Sequence, residues 1–163
     1  MSRTVSAVAA FTLALCAFSP CLPAADTASV DALMQQAKKA MDDGKYKAAL
    51  AALDAAITEA PGRADLYGMR AKVNDERNDL DKALADAQKM IDLAPNSAEG
   101  YIVRAHINMG REKWDEAMAD ANTAIAKEPK SADAYYLRSD IYSDMGKDAE
   151  SKADDAKARA LDK

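Results

Sequence analysis

The residues able to do chemistry are few and poorly placed for catalysis. His106 is the single histidine, and its nearest carboxylates in sequence, Glu99 and Glu112, stand seven and six residues away. That is not ligand spacing on one helical face, so neither a zinc site nor an acid-base pair is built around it. The acidic pairs Asp42 with Asp43 and Asp154 with Asp155 fall near expected helix ends without a calcium-loop arrangement. No glycine-rich phosphate loop or nucleophile elbow occurs. These residues predict no catalytic site, no cofactor and no bound metal, hence not an enzyme. What the charges can build is a set of ion pairs. Arg70, Arg104 and Arg138 recur at a step of 34 residues, as do Asp86, Asp120 and Asp154. A guanidinium fork suits a carboxylate, so this series can form a ladder of Arg-Asp pairs that fixes repeat register. Whether each Arg meets the Asp of its own unit or of a neighbour stays open, and unrelated surface charges are the alternative. Gln36 and Ala52 occupy the corresponding places in the first unit, so the ladder would start at the second.

The same step runs through the residues that must position those charges. Pro61, Pro95 and Pro129 are 34 apart, as are Tyr67, Tyr101 and Tyr135. So are Ala37, Ala71, Ala105 and Ser139, and likewise Ala49, Ala83 and Ala117. Each unit divides into two amphipathic stretches with apolar residues at helical spacing. This predicts helices at residues 30 to 43, 46 to 60, 64 to 77, 80 to 93, 98 to 110, 114 to 127, 132 to 145 and 148 to 161. Gly44, Asn78, Gly110 and Gly146 fall in the breaks as helix-leaving residues. The prolines close each second helix, and Asn96, Ser97 and Ser131 are suited to N-caps. Abundant Ala with little Val, Ile or Thr favours helix throughout. The expected fold class is all-α.

The pattern resembles the tetratricopeptide repeat. It is carried by Ala37, Gly44, Tyr46, Ala49, Leu53, Ala56 and Pro61 in the first unit and by Tyr101, Ala105, Trp114, Ala117, Ala124 and Pro129 in the third. The resemblance implies a right-handed superhelical α-α solenoid of about four units, at residues 30 to 63, 64 to 97, 98 to 131 and 132 to 163. Ser151 and Asp155 make the last helix polar, as a terminal cap must be. The resemblance also implies a concave groove lined by the first helix of each unit. The inward positions carried over are Asp31, Met34, Lys38 and Met41; Asp65, Gly68, Lys72 and Asp75; Glu99, Ile102, His106 and Met109; and Asp133, Tyr136, Asp140 and Ser143. The family's carboxylate clamp needs Lys and Asn where this chain has Met34, Gly68, Ile102 and Tyr136. A protein or peptide segment that is neutral or basic, with apolar anchors, is the expected partner. Binding on the convex side or at an end is the alternative site. A structural subunit stacking through the array ends is the alternative role.

The N-terminus reads as a secretory signal over residues 1 to 25. Arg3 supplies a positive start, Val5 to Phe18 is an apolar run too short to span a bilayer, and Pro20 and Pro23 end it. The expected location is periplasmic or secreted. Leu15 before Cys16 and Pro20 before Cys21 are not the small residues that precede a lipid-modified cysteine, which disfavours a lipid-anchored form. Both cysteines leave with the signal, so the mature domain, 26 to 163, is expected to have no disulfide. It would carry 21 basic against 27 acidic residues with no basic stripe. Nucleic acid is thereby excluded as a partner, no membrane insertion is expected of the mature chain, and the unpaired charges of the last helix favour a monomer.

Overall fold

The computed structural model describes residues 27 to 162, so the expected signal segment lies outside the described residues. Eight helices follow one another among the described residues: α1 (Thr27–Asp42), α2 (Tyr46–Glu59), α3 (Ala64–Glu76), α4 (Leu80–Leu93), α5 (Glu99–Gly110), α6 (Trp114–Lys127), α7 (Ala132–Asp144) and α8 (Asp148–Leu161). No strand occurs among the described residues. None of the described helices is long and apolar enough to cross a membrane.

Inside each pair the chain reverses through the same backbone device. The residues at 44, 78, 112 and 146 take positive φ: Gly44 at 69°, Asn78 at 61°, Glu112 at 57° and Gly146 at 72°. The next N–H reaches back to the carbonyl five residues earlier, Lys45 to Ala40 at 2.7 Å and Lys113 to Asn108 at 2.9 Å. This closes orphan carbonyls at the helix end. The expectation that Gly110 performs the turn in the third unit is therefore corrected. Gly110 is the last residue of α5, and Glu112 takes the left-handed conformation, at roughly 1 kcal/mol relative to glycine. Capping is also uneven. Ser131 accepts the Ala134 N–H at 3.3 Å, as expected. Ser97 instead accepts from Glu99, and the Ala98 N–H is taken by Glu128, a residue from the end of α6, at 2.8 Å.

The helices of one pair approach closely because small residues face each other. Ala37 with Ala49, Ala71 with Ala83 and Ala105 with Ala117 are all fully buried, one couple in each of three core clusters. In the fourth unit serines replace this couple. The Ser139 hydroxyl donates to the Ser151 carbonyl at 2.9 Å and lies 3.1 Å from the Ser151 hydroxyl, so the polar pair stays satisfied. Successive pairs then stack, α2 on α3, α4 on α5 and α6 on α7. The odd helices also touch one another, α3 with α5 and α5 with α7, whereas no comparably packed couple of even helices occurs among the described residues. The array consequently curves with the odd helices on its inner side, as a solenoid of helix pairs.

An arginine ladder joins the pairs. Arg70, Arg104 and Arg138 each grip the aspartate sixteen residues ahead, in the second helix of their own unit, with Nη2 to Oδ1 distances of 2.7 Å to Asp86, 2.6 Å to Asp120 and 2.9 Å to Asp154. In each, Nε binds the second carboxylate oxygen. The sequence left own unit and neighbour open, and the answer is own unit. The third nitrogen, Nη1, reaches sixteen residues back into the preceding unit, to Asp54 at 2.6 Å, to Gln88, and to Asn122 at 2.8 Å. Each guanidinium also lies over the tyrosine three residues before it, Tyr67, Tyr101 or Tyr135, within 6 Å. The aspartates are buried while the arginines keep about a quarter of their surface. The paired carboxylate first of all pushes each arginine above its ordinary pKa, against desolvation. Arg104→Met should cost about 2 to 3 kcal/mol, because it strands Asp120 in the core. Double-mutant cycles measured by urea denaturation should give about 1 to 2 kcal/mol of coupling for Arg104 with Asp120 and none outside error for Arg104 with Asp86. The reverse ranking would break the own-unit assignment.

Candidate functional site

The inner side holds a concavity of about 390 Å³, with walls from α3, α5 and α7. Ala71, Val103, Ile107 and Leu137 form its floor, and these belong to the buried core. Residues at i, i+3 and i+7 of α5 and α7, and two residues three apart on α3, rise from that floor on one face. Lys72 and Asp75 come from α3; Glu99, Ile102 and His106 from α5; Asp133, Tyr136 and Asp140 from α7. Ile102 and Tyr136 are half-buried, whereas Lys72, Glu99, His106, Asp133 and Asp140 are exposed or nearly so.

The remaining expected groove residues are not brought there. Met34, Met41 and Met109 turn against core clusters shared with the following unit, and Lys38 stands exposed on α1 outside the lining of the concavity. Gly68 is buried beneath Met90, whose Sδ lies 2.9 Å from where a Cβ would sit, so it offers nothing to a partner. Ser143 is exposed outside the concavity. Asp31 and Asp65 are instead paired, at the surface, with a residue that the sequence reading missed. Arg63 donates to Asp31 at 2.8 Å and to Asp65 at 2.6 Å, and touches the Met34 sulfur at 3.0 Å. The hydrogen bond from Arg63 holds the Asp65 carboxyl below its usual range. Position 63 has no counterpart at 97 or 131, where serines stand, so the 34-residue register gave no signal for this clasp.

Charge in the concavity is unbalanced. Four carboxylates, Asp75, Glu99, Asp133 and Asp140, face one lysine and one histidine, and none of the four carboxylates forms an ion pair or side-chain hydrogen bond among the described residues. Burial, helped by Glu76 and opposed by the nearby His106, raises the Asp75 carboxyl above its ordinary value. Burial and then the Asp162 carboxylate at the end of α8 raise the Tyr136 phenol. No group of three or more metal-ligating side chains occurs among the described residues.

Tetratricopeptide repeat models match residues 34–98 and 132–158. A search of curated proteins finds no match. Among solved structures, the thermophilic TPR protein TTC0263 of Thermus thermophilus superposes with a TM-score of 0.72 at 19% identity, over 81% of this chain and 74% of that one. MamA superposes with a TM-score of 0.67 at 22% identity, over 85% and 81%. The first TPR of Spaghetti (RPAP3), bound to the HSP90 peptide SRMEEVD, gives 0.65 at 20% identity, over 74% and 96%. At such identities these likenesses establish the fold.

A carboxyl whose folded-state pKa is raised opposes folding once it ionises, so its cost is absent in acid and grows as pH rises through that value. Asp75→Asn should therefore raise Tm at pH 7, and the gain should vanish below the unfolded carboxylate value of 3.8. Thermal melts of both proteins across pH 3 to 8 check this; a variant less stable at neutral pH would show that Asp75 makes a stabilising contact.

Proposed function

Because the chain belongs to the tetratricopeptide repeat family, we propose that it is an exported interaction scaffold, holding a segment of another protein against the inner face formed by α3, α5 and α7. Folds of this family are in general non-catalytic interaction modules, and no catalytic role is proposed for any residue here. The carrying observation is the concavity itself. Ile102 and Tyr136 leave apolar surface open on a curved floor, next to charges that their own chain does not neutralise. Exposed apolar side chains in a recess favour a partner that buries them. The partner is a peptide or protein segment, neutral or basic, with one or two apolar anchors. The RPAP3 domain, whose fold this chain shares, is bound to a peptide, which supports the class of ligand. The peptide there, SRMEEVD, carries three acidic residues, a charge that the unpaired carboxylates of this concavity disfavour.

The scaffold acts as a monomer in this reading, since the arginine ladder ends at Gln36 on one side and at Ala156 on the other. Export follows from residues 1 to 25; the protein isolated from its native host should begin near Asp26, and recovery of chains that still carry Met1 would contradict export. For the groove, Ile102→Ser with Tyr136→Ser should abolish capture of the native partner in crosslinking. Because Ile102 also packs on two core clusters, the pair should cost about 1 to 2 kcal/mol while circular dichroism stays helical. Full-strength capture by the folded double variant would refute groove binding.

A further inference from the structure

Resting on that groove reading, we infer that the seat is confined to units two to four and selects a segment bearing Lys or Arg. Two independent observations carry this. The first is the Arg63 clasp. Its guanidinium spans from Asp31 on α1 to Asp65 on α3, satisfying the carboxylates of the first half of the inner face and covering the thioether of Met34. The two carboxylates of that half thus already have a cation of their own chain. The second is the state of the other half. Glu99, Asp133 and Asp140 have no cationic partner among the described residues, and they flank Ile102 and Tyr136 on adjacent helices.

The spacing sets what fits. Glu99 and Ile102 are three apart on α5, Asp133, Tyr136 and Asp140 three and four apart on α7, so an acid and an apolar residue adjoin on each wall. A partner segment that buries one apolar side chain on Ile102 and Tyr136 brings its flanking residues against carboxylates. A flanking Lys or Arg gains an ion pair there, and a Lys or Arg over Tyr136 also meets the ring face. A flanking Glu or Asp meets like charge. Three packed helices at about 10 Å spacing span roughly 20 Å, which is about six residues of extended chain. The occupant is thus a short segment of alternating apolar and cationic character, distinct in sign from an acidic peptide tail.

Fluorescein-labelled, end-blocked octapeptides with two Leu or Tyr anchors and either Lys, Ser or Glu at the remaining positions form the probe set. Binding to the full mature chain is read by polarisation, and its place by the methyl NMR signal of Ile102. Lys peptides should bind at least tenfold more tightly than Ser peptides and shift Ile102, with Glu peptides weaker still and affinity falling as salt rises. Combining Glu99→Gln, Asp133→Asn and Asp140→Asn should reduce Lys-peptide affinity about tenfold. A charge-matched control, Glu112→Gln with Asp115→Asn and Asp148→Asn, should leave it within twofold. Equal binding of Lys and Ser peptides with Ile102 shifted would overturn cation selection while leaving the groove intact. Lys binding that leaves Ile102 unmoved would overturn the groove reading itself. No binding of any peptide at millimolar concentration would overturn both.

Discussion

A guanidinium has five donors in one plane, and this array uses that planarity to connect three helices at a time. Arg104 holds Asp120 through two parallel hydrogen bonds, reaches Gln88 of the preceding unit with its remaining nitrogen, and rests against Tyr101. The same side chain therefore sets the distance within a helix pair and the offset between pairs. Apolar packing alone could not do this. The facing Ala residues permit close approach but are small and symmetric, so a slide of α5 along α6 would cost them little. The bidentate bond to a buried carboxylate is directional, and a slide of one turn would leave Asp120 unpaired in the core.

From that register the inner face follows. When each pair has the same internal spacing and the same offset to the next, the odd helices repeat as parallel walls, and residues at one helical position recur in line. Lys72, His106 and Asp140 stand in such a line, 34 residues apart, as do Asp75 and Met109. The line is not obeyed everywhere, because local volume intervenes. Met109 has room beside Ile141 and Met145 and turns inward to the core, and Gly68 leaves space that Met90 fills from α4. A repeat thus supplies equivalent places, and the side chains decide which of them open to a partner.

The helices and their pairing were legible in the sequence because 34-residue recurrence of Pro, Tyr, Ala and Arg constrains them many times over. Six of the eight helices among the described residues begin at the residue that the apolar pattern indicated. What escaped was information carried by chemistry other than identity. Residues 54, 88 and 122 are Asp, Gln and Asn, three residue types with one shared capacity, an outward carbonyl or carboxylate oxygen, and so they did not register as a series. The turn at Glu112 was hidden for a related reason: Gly110 has the right residue type two places too early, while the backbone geometry at 112 is imposed by the hydrogen bond that Lys113 makes to Asn108. Arg63 was illegible on other grounds. It occurs once, and its contact with Asp31 arises only when two units are stacked.

The two ends of the ladder differ in chemistry from its interior. Position 156, next in the series 54, 88 and 122, is Ala, so α8 offers no oxygen to a following arginine. Position 36, where that arginine would belong at the start of another copy, is Gln. An extra unit inserted in the middle would inherit both acceptors and extend the ladder. Two whole chains placed end to end would meet at a rung with neither charge. The ladder can therefore lengthen by internal duplication within the gene, each inserted unit carrying its own rung, whereas Gln36 and Ala156 supply no rung at the two ends.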